Sequence, residues 1–339
     1  MNLLRTILSV ALLLVFSHAI AQSEVEALIN EGVRYHDQGE YDKAIETYQK
    51  ALSIDPQSAL ANYEIALTYF EKEDYANTVK HSDVVLNQKG DYMIPAYLIN
   101  GSALDLQGRT KESIKLFKKA IKKTDGHYLI YYNLALNYFN LKDIDNAEEY
   151  VIKAIEKNPR HPSSHIMLAV IHDQRGNSVQ SLMASHYYLL LEPGSQRSET
   201  ALKMLQQNFS GNVTQGKGNN INIMLSSDSD SEFMGAELMI SMLEVSKTLD
   251  ENKDKSEDEL FIENTKAFFS VLGETKEKGR EGIWWSFYVP FLYELAKSDH
   301  METYCMFITQ SGNENSEKWL VENEQKVKAF EAWLEKNQK

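Results

Sequence analysis

Small residues recur along the first two-thirds of the chain at a near-constant period: Gly32, Ala66, Gly101, Ala135 and Ala169, spaced by 34, 35, 34 and 34 residues. Three positions after each stands Tyr35, Tyr69, Leu104, Tyr138 or His172, and twelve after stands Ala44, Thr78, Ser113, Ala147 or Ser181. Nineteen after stands Ala51, Val85, Ala120, Ala154 or Tyr188. Pro56, Pro159 and Pro193 close three copies, Gly90 and Asp125 hold the corresponding places in two, and Gly39, Gly108 and Gly176 fall midway. Such a period marks a supersecondary unit that cannot bury its apolar face alone and stacks on its neighbours. The register reads as two helices joined by a tight turn. Small side chains sit where the helices cross, larger ones fill the gap beside them, and proline stops the second helix.

The first copy, GVRYHDQGEYDKAIETYQKALSIDP, carries nearly the whole pattern. On these residues the chain resembles the tetratricopeptide repeat family. Five copies are expected at 25–58, 59–92, 94–127, 128–161 and 162–195, the first and fourth closest to the family pattern. Residues 196–209, with Ala201, Leu202 and Leu205 at helical spacing, read as a helix capping the last repeat. Residues 210–220 read as a linker and 221–337 as a C-terminal helical domain. The expected fold is all-α: a solenoid of about five helix-turn-helix repeats with its capping helix, followed by a small helical domain. The whole chain is similar to exported tetratricopeptide proteins of Bacteroidetes-type bacteria.

The family resemblance implies that the first helix of each repeat lines a concave groove. Offsets from the small residues give Ile29, Val33 and His36 in the first repeat and Tyr63, Leu67 and Phe70 in the second. The third repeat gives Leu98, Ser102 and Asp105, the fourth Tyr132, Leu136 and Phe139, and the fifth Ile166, Val170 and Asp173. The candidate partner-binding residues are Tyr63, Leu67, Phe70, Leu98, Tyr132, Leu136, Phe139 and Ile166. Family members that clamp a peptide's terminal carboxylate use Lys and Asn at such places. Here they are mostly apolar, so a carboxylate clamp is not supported. Two occupants fit an apolar, aromatic groove: the chain's own C-terminal domain, or a partner's helix or extended peptide.

The N-terminus carries Arg5, an apolar run from Ile7 to Phe16 and the small-residue pattern Ala19-Ile20-Ala21. That order reads as a signal peptide over residues 1–21, its apolar run of about ten residues being too short to span a bilayer. Export is expected, to the periplasm or beyond. Cys305 is the only cysteine, so no internal disulfide can form and packing alone must hold the protein. With 35 Lys and Arg against 49 Asp and Glu, the formal charge is −14. Removing Arg5 gives 34 − 49 = −15 for the mature chain. Such a surface repels phosphate backbones and anionic headgroups, which argues against nucleic acid or a membrane as partner.

Motifs for chemistry are sparse. Gly211, Gly216 and Lys217 spell G-x4-G-K, but Gly218 stands where a P-loop needs Ser or Thr. The alternation of Ile221, Ile223 and Leu225 also suggests a strand where a helix should follow. His161 and His165 lack the partners of a metal site. Cys305 sits in an apolar stretch without basic neighbours, as an inert buried thiol does. Trp284 and Trp285 are adjacent on an apolar helix and so face different directions, which suits core packing better than sugar stacking. Met234, Leu238, Met242, Val245 and Leu249 form one helical stripe, and Ser256 with Glu259 makes a capping box. No cofactor or metal is expected. The reading is a non-enzymatic scaffold or adaptor of the bacterial cell envelope that binds a protein or peptide partner. The alternatives are a structural subunit of an envelope assembly or an enzyme with a catalytic C-terminal domain.

Overall fold

The computed structural model describes residues 21–210, 213–215, 221–223, 231–247, 249, 252–277 and 279–337. The signal segment up to Ile20 and the Gly211, Gly216 and Lys217 of the P-loop-like stretch lie outside the described residues. The chain divides into two compact units, Met1–Tyr150 and Val151–Lys339.

In the first unit the helices follow the repeat period: α1 (residues 21–37), α2 (Tyr41–Ile54), α3 (Ala59–Glu71), α4 (Tyr75–Leu86), α5 (Met93–Leu106), α6 (Thr110–Lys123) and α7 (Tyr128–Asn140). Helix α8 (Ile144–Lys157) begins in this unit and ends in the second. Each pair closes over its small residue. A Cβ added at Gly32 would lie 2.4 Å from a ring carbon of Tyr48, and one at Gly101 would lie 2.2 Å from Phe117. Both rings are buried, Tyr48 at 0% and Phe117 at 1% exposure. The glycines follow from sizes sixteen residues apart. Where the residue sixteen positions on is Ser82 or Ser185, the small residue is alanine (Ala66, Ala169). Packing at near-crystalline density tolerates one bulky member per crossing, not two.

The turns inside the repeats obey a second rule. Gly39, Gly108 and Gly176 all sit near φ +73° to +74° or 73°, the left-handed region that ends a helix. The second and fourth repeats place Glu73 (φ 61°) and Lys142 (φ 60°) there instead. The hydrogen bonds are the same in each case: Gly39 N–H to His36 O, Glu73 N–H to Phe70 O and Lys142 N–H to Phe139 O, all at 2.9 Å. Backbone pairing therefore imposes the conformation even where a side chain resists it. Between helices, buried amides tie neighbours together. Asn100 donates to Ser82 Oγ at 2.9 Å and to Asp83 at 2.8 Å, and Asn137 donates to Ser113 Oγ at 2.6 Å.

The second unit contains α9 (Pro162–Gln174), α10 (Ser178–Leu191) and α11 (Gln196–Ser210). Strands β1 (Val213–Gln215) and β2 (Ile221–Ile223) pair antiparallel, with Val213 opposite Ile223. Then come a 3₁₀ turn (Ser231–Phe233), α12 (Met234–Ser246), α13 (Glu257–Glu274), a π-helical turn (Trp284–Tyr288), α14 (Val289–Lys297), α15 (Met301–Thr309), α16 (Glu314–Glu322) and α17 (Glu324–Asn337). The fold is all-α apart from that one short hairpin among the described residues.

Helix α10 is the centre of this unit, buried at every residue from Val179 to Leu190. Its sequence, SVQSLMASHYYLLL, has no charged residue, and a helix without a polar face is stable only when covered all round. Helices α9, α11 and α15 and the π-helical turn supply the cover. Ala201, Leu202 and Leu205 of α11 are buried at 1%, 4% and 0% exposure. Two histidines are sealed in against the C-terminal helices. His165 accepts at Nδ1 from the Tyr288 hydroxyl (2.6 Å) and donates from Nε2 to Pro159 O (2.8 Å). His186 Nδ1 lies 2.9 Å from Tyr304 Oη amid Phe209, Phe268 and Phe269. Burial drives His165 down to about 4, and His186 down to about 3.

Most of the stripe that begins on α12 faces solvent. Met234, Leu238, Met242 and Leu249 are 50%, 43%, 55% and 45% exposed, while Ala236, Glu237, Ile240 and Ser241 face the interior. The smaller face packs against α11 and α13, where close approach favours short side chains. The expected capping box is present: Ser256 Oγ accepts from Glu259 N–H, and Glu259 accepts from Ser256 N–H at 2.8 Å.

Two predictions follow from this packing. Glu73→Gly and Lys142→Gly should each stabilise the protein by about 0.5–1 kcal/mol by relieving a left-handed side chain; a lower urea midpoint in both would contradict the strain. The histidines make a pH prediction. Their folded pKa values lie below the unfolded value of about 6.5, so the unfolded chain binds more protons and stability falls as pH drops from about 6.5 toward 4 and 3. Each contributes a slope of up to roughly 1.4 kcal/mol per pH unit in that window. His165→Gln with His186→Leu should flatten the pH dependence between 6 and 4.5 relative to wild type, measured by urea unfolding at each pH. An unchanged slope would mean that neither ring is held neutral.

Candidate functional site

The first helices of the second and third repeats, with the start of the fourth, enclose a concavity of about 760 Å³ in the first unit. Helix α3 contributes Tyr63, Leu67, Phe70 and Glu71, and α5 contributes Ile94, Pro95, Leu98, Ile99 and Ser102. Tyr128, Leu129 and Asn133 come from α7, and Asp91 and His127 from the residues before α5 and α7. The volume lies in the range of ligand pockets, about 300–1,000 Å³.

Each wall has a local cause. The α3 stretch IALTYF buries Ile65, Ala66 and Thr68, which turns Leu67 and Phe70 outward, both half-buried. Tyr63 is held by Tyr92, with ring centroids 5.5 Å apart, and Phe70 meets the edge of Tyr75 at 5.6 Å. Burial, and the nearby Glu64, raise the Tyr63 pKa, so its hydroxyl stays neutral. Glu64 itself is pushed up by burial and by Asp37. Burial lowers His127, which leaves it uncharged near neutral pH.

The structure brings four of the eight expected residues together: Tyr63, Leu67, Phe70 and Leu98. Tyr132, Leu136 and Phe139 lie on α7 outside this concavity, with Leu136 36% exposed. Ile166 belongs to the second unit, where it is half-buried on α9. Ile29, grouped with the groove by offset, is instead a core residue at 3% exposure, packed with Tyr48 and Ile65. The lining departs from equal offsets because the concavity runs obliquely across the helices. Counted from the small residue of each repeat, its lining runs from Tyr63 (−3) to Glu71 (+5) on α3 and from Ile94 (−7) to Ser102 (+1) on α5. On α7 it runs from Tyr128 (−7) to Asn133 (−2). Stacked repeats rotate slightly on one another, so a groove drifts toward the helix starts. The sequence signal for the missed residues is the apolar first turn of α5, Met93-Ile94-Pro95, where polar capping residues are usual.

In the second unit, Tyr187, Phe287, Pro290, Phe291, Ser286, Glu294 and Asn337 bound a smaller recess of about 220 Å³. Among the described residues the shifted carboxylates of this unit, Glu192, Glu199 and Glu259, shift down. Burial raises Glu192 but hydrogen bonds from Arg197, Ser195 and Tyr188 outweigh it, Lys203 lowers Glu199, and the Ser256 backbone N–H lowers Glu259. Each is accounted for by an ion pair or a helix cap. Cys305 is buried, and burial pushes its thiol up. Trp285 is buried with its Nε1–H donating to Glu232 at 2.8 Å, and Trp284 packs edge-on against His172 at 4.9 Å. Among the described residues no group of three His, Cys, Asp or Glu side chains could hold a metal ion, and no helix is long and apolar enough to cross a membrane.

Residues 32–72 match a family model described as TPR repeat, and residues 128–161 match one described as tetratricopeptide repeat. Over 111 residues the chain is 34% identical to the human protein O-mannosyl-transferase TMTC2, covering 31% of this chain and 13% of that one. Over 144 residues it is 25% identical to a Hordeum vulgare protein, the probable UDP-N-acetylglucosamine–peptide N-acetylglucosaminyltransferase SPINDLY, covering 40% of this chain and 15% of that one. The chain thus spans less than a sixth of either relative, and both likenesses lie in the repeat region. Among solved structures it is similar to YrrB, described as a TPR protein with an unusual peptide-binding site, at 19% identity and a TM-score of 0.42, covering 56% of this chain and 97% of that one. The helices at residues 32–72 and 128–161 are therefore similar to tetratricopeptide repeats.

Proposed function

We propose that the protein is a non-enzymatic interaction scaffold that holds a helix or peptide of a protein partner in the concavity of the first unit. The observation that carries this reading is the concavity itself: about 760 Å³, walled by Tyr63, Leu67, Phe70, Ile94, Pro95 and Leu98 from successive repeats. Half-buried aromatic and aliphatic side chains on rigid helices are the anchor type of protein interfaces, because burying them further releases water at little conformational cost. The second unit supports the non-enzymatic reading, since its shifted carboxylates are lowered by ion pairs and caps and its cysteine is sealed. Export to the bacterial envelope is part of the same proposal and rests on the Arg5, Ile7–Phe16 and Ala19-Ile20-Ala21 pattern.

The oblique groove separates two sets of variants. In a screen of the full chain against a displayed peptide library, Phe70→Ala with Leu98→Ala should weaken selected binders tenfold or more. Leu136→Ala with Phe139→Ala should leave them within about twofold, both variants keeping wild-type helical circular dichroism. Equal losses in the two variants would refute the oblique site, and binders indifferent to both would refute the groove. Residues 1–21 fused to a β-lactamase lacking its own leader should confer periplasmic resistance in a bacterial host. A fusion that stays in the cytoplasm would remove the export proposal.

A further inference from the structure

The charges that line this concavity are of one sign. Its lining contains two carboxylates, Glu71 and Asp91, and neither Lys nor Arg. Both carboxylates are exposed, and neither has a hydrogen bond or ion pair among the described residues. The three helices that form its walls, α3, α5 and α7, carry Glu64, Glu71 and Asp105 without a single Lys or Arg. Most lysines of this unit lie on the second helices; Lys72, Lys89 and Lys142 are in connecting turns outside the lining, with Lys72 paired to Asp42. Helix α6 alone holds Lys111, Lys115, Lys118, Lys119, Lys122 and Lys123, all exposed, and contributes nothing to the lining. Solvation of surface charge does not require such segregation, because interspersed signs solubilise as well. An apolar floor flanked by uncompensated carboxylates also sets a preference. An acidic partner would meet repulsion, whereas a cationic one would be steered in and paired as the floor excludes water. The exposed parts of Tyr63, Phe70 and Tyr128 add ring faces on which ammonium or guanidinium groups can rest.

We infer that the groove selects a cationic amphipathic segment of a partner protein, one whose aliphatic side chains seat on Leu67, Ile94 and Leu98 while Lys or Arg residues pair with Glu71 and Asp91. This rests on the groove reading above and adds the chemistry of the occupant. The overall charge of −14 favours the encounter of any cation with the chain, so the discriminating observation is local to the two carboxylates.

Three fluorescein-labelled peptides sharing one set of Leu anchors, with flanking positions all Lys, all Gln or all Glu, are titrated against the full chain by anisotropy. The Lys peptide is expected to bind at least tenfold tighter than the Gln peptide, and the Glu peptide weakest. Glu71→Gln with Asp91→Asn should remove at least fivefold of the Lys advantage while leaving the Gln peptide unchanged. An equal number of neutralised carboxylates elsewhere, Glu24→Gln with Glu26→Gln, should remove little. Equal affinity for all three peptides, still lost in Phe70→Ala with Leu98→Ala, would overturn the charge inference and leave the groove standing. Peptides that ignore Phe70 and Leu98 altogether would overturn the groove as well. Self-association of the chain in sedimentation, abolished by Glu71→Gln with Asp91→Asn, would assign the occupant as the lysine-rich α6 of a second copy and overturn the partner assignment.

Discussion

The first and third helix pairs of the repeat region depend on one close approach, the crossing at Gly32 and at Gly101. Where the residue sixteen positions later is an aromatic ring, as at Tyr48 and Phe117, only glycine leaves room, and the ring fills the space a side chain would have taken. Where it is serine, alanine suffices. Complementary sizes of this kind let degenerate copies stack beside regular ones. The turn following each crossing is equally constrained. Its left-handed residue is imposed by the closing hydrogen bonds, so the fold tolerates Glu73 and Lys142 there at some cost in strain.

The two units use the same repeat chemistry differently. In the first, second helices such as α6 are sharply two-faced: Ser113, Phe117 and Ala120 point inward, and six lysines point out. In the second, α10 has no polar face, and the C-terminal helices close over it with His165–Tyr288 and His186–Tyr304 hydrogen bonds. Buried polar pairs of this kind orient more than they stabilise. Each buries an imidazole that must stay neutral, and the aromatic side chains around it provide the packing. The lone cysteine and Trp285 belong to this packing as well.

The groove was only half legible in the chain. Tyr63, Leu67, Phe70 and Leu98 were recoverable because periodicity identifies which residues of a first helix are left over after the crossing is filled. Tyr132, Leu136 and Phe139 carry the same Tyr-Leu-Phe triplet as α3, yet lie outside the concavity. The triplet is a property of one helix, whereas the concavity is a property of the rotation between helices. The same limit explains α12. Met234, Leu238, Met242 and Val245 share a stripe, but the choice between that stripe and the Ala236-Ile240 face depends on what packs beside it.

The sequence by itself determined the all-α class, the repeat period, the crossing and turn positions, the cap formed by Ala201, Leu202 and Leu205, and the capping box at Ser256. These rest on spacing and side-chain size within about one helical turn or one repeat, and such short-range constraints are written directly in the order of residues. Tertiary structure alone decided which turn of each first helix reaches the groove, that Glu71 and Asp91 are the carboxylates lining it among the described residues, and that the C-terminal helices wrap α10. Those outcomes depend on the angle between successive repeats and on contacts more than a hundred residues apart, such as His165 with Tyr288. Small rotations summed over several packed interfaces fix such positions, and no local pattern of residues encodes that sum.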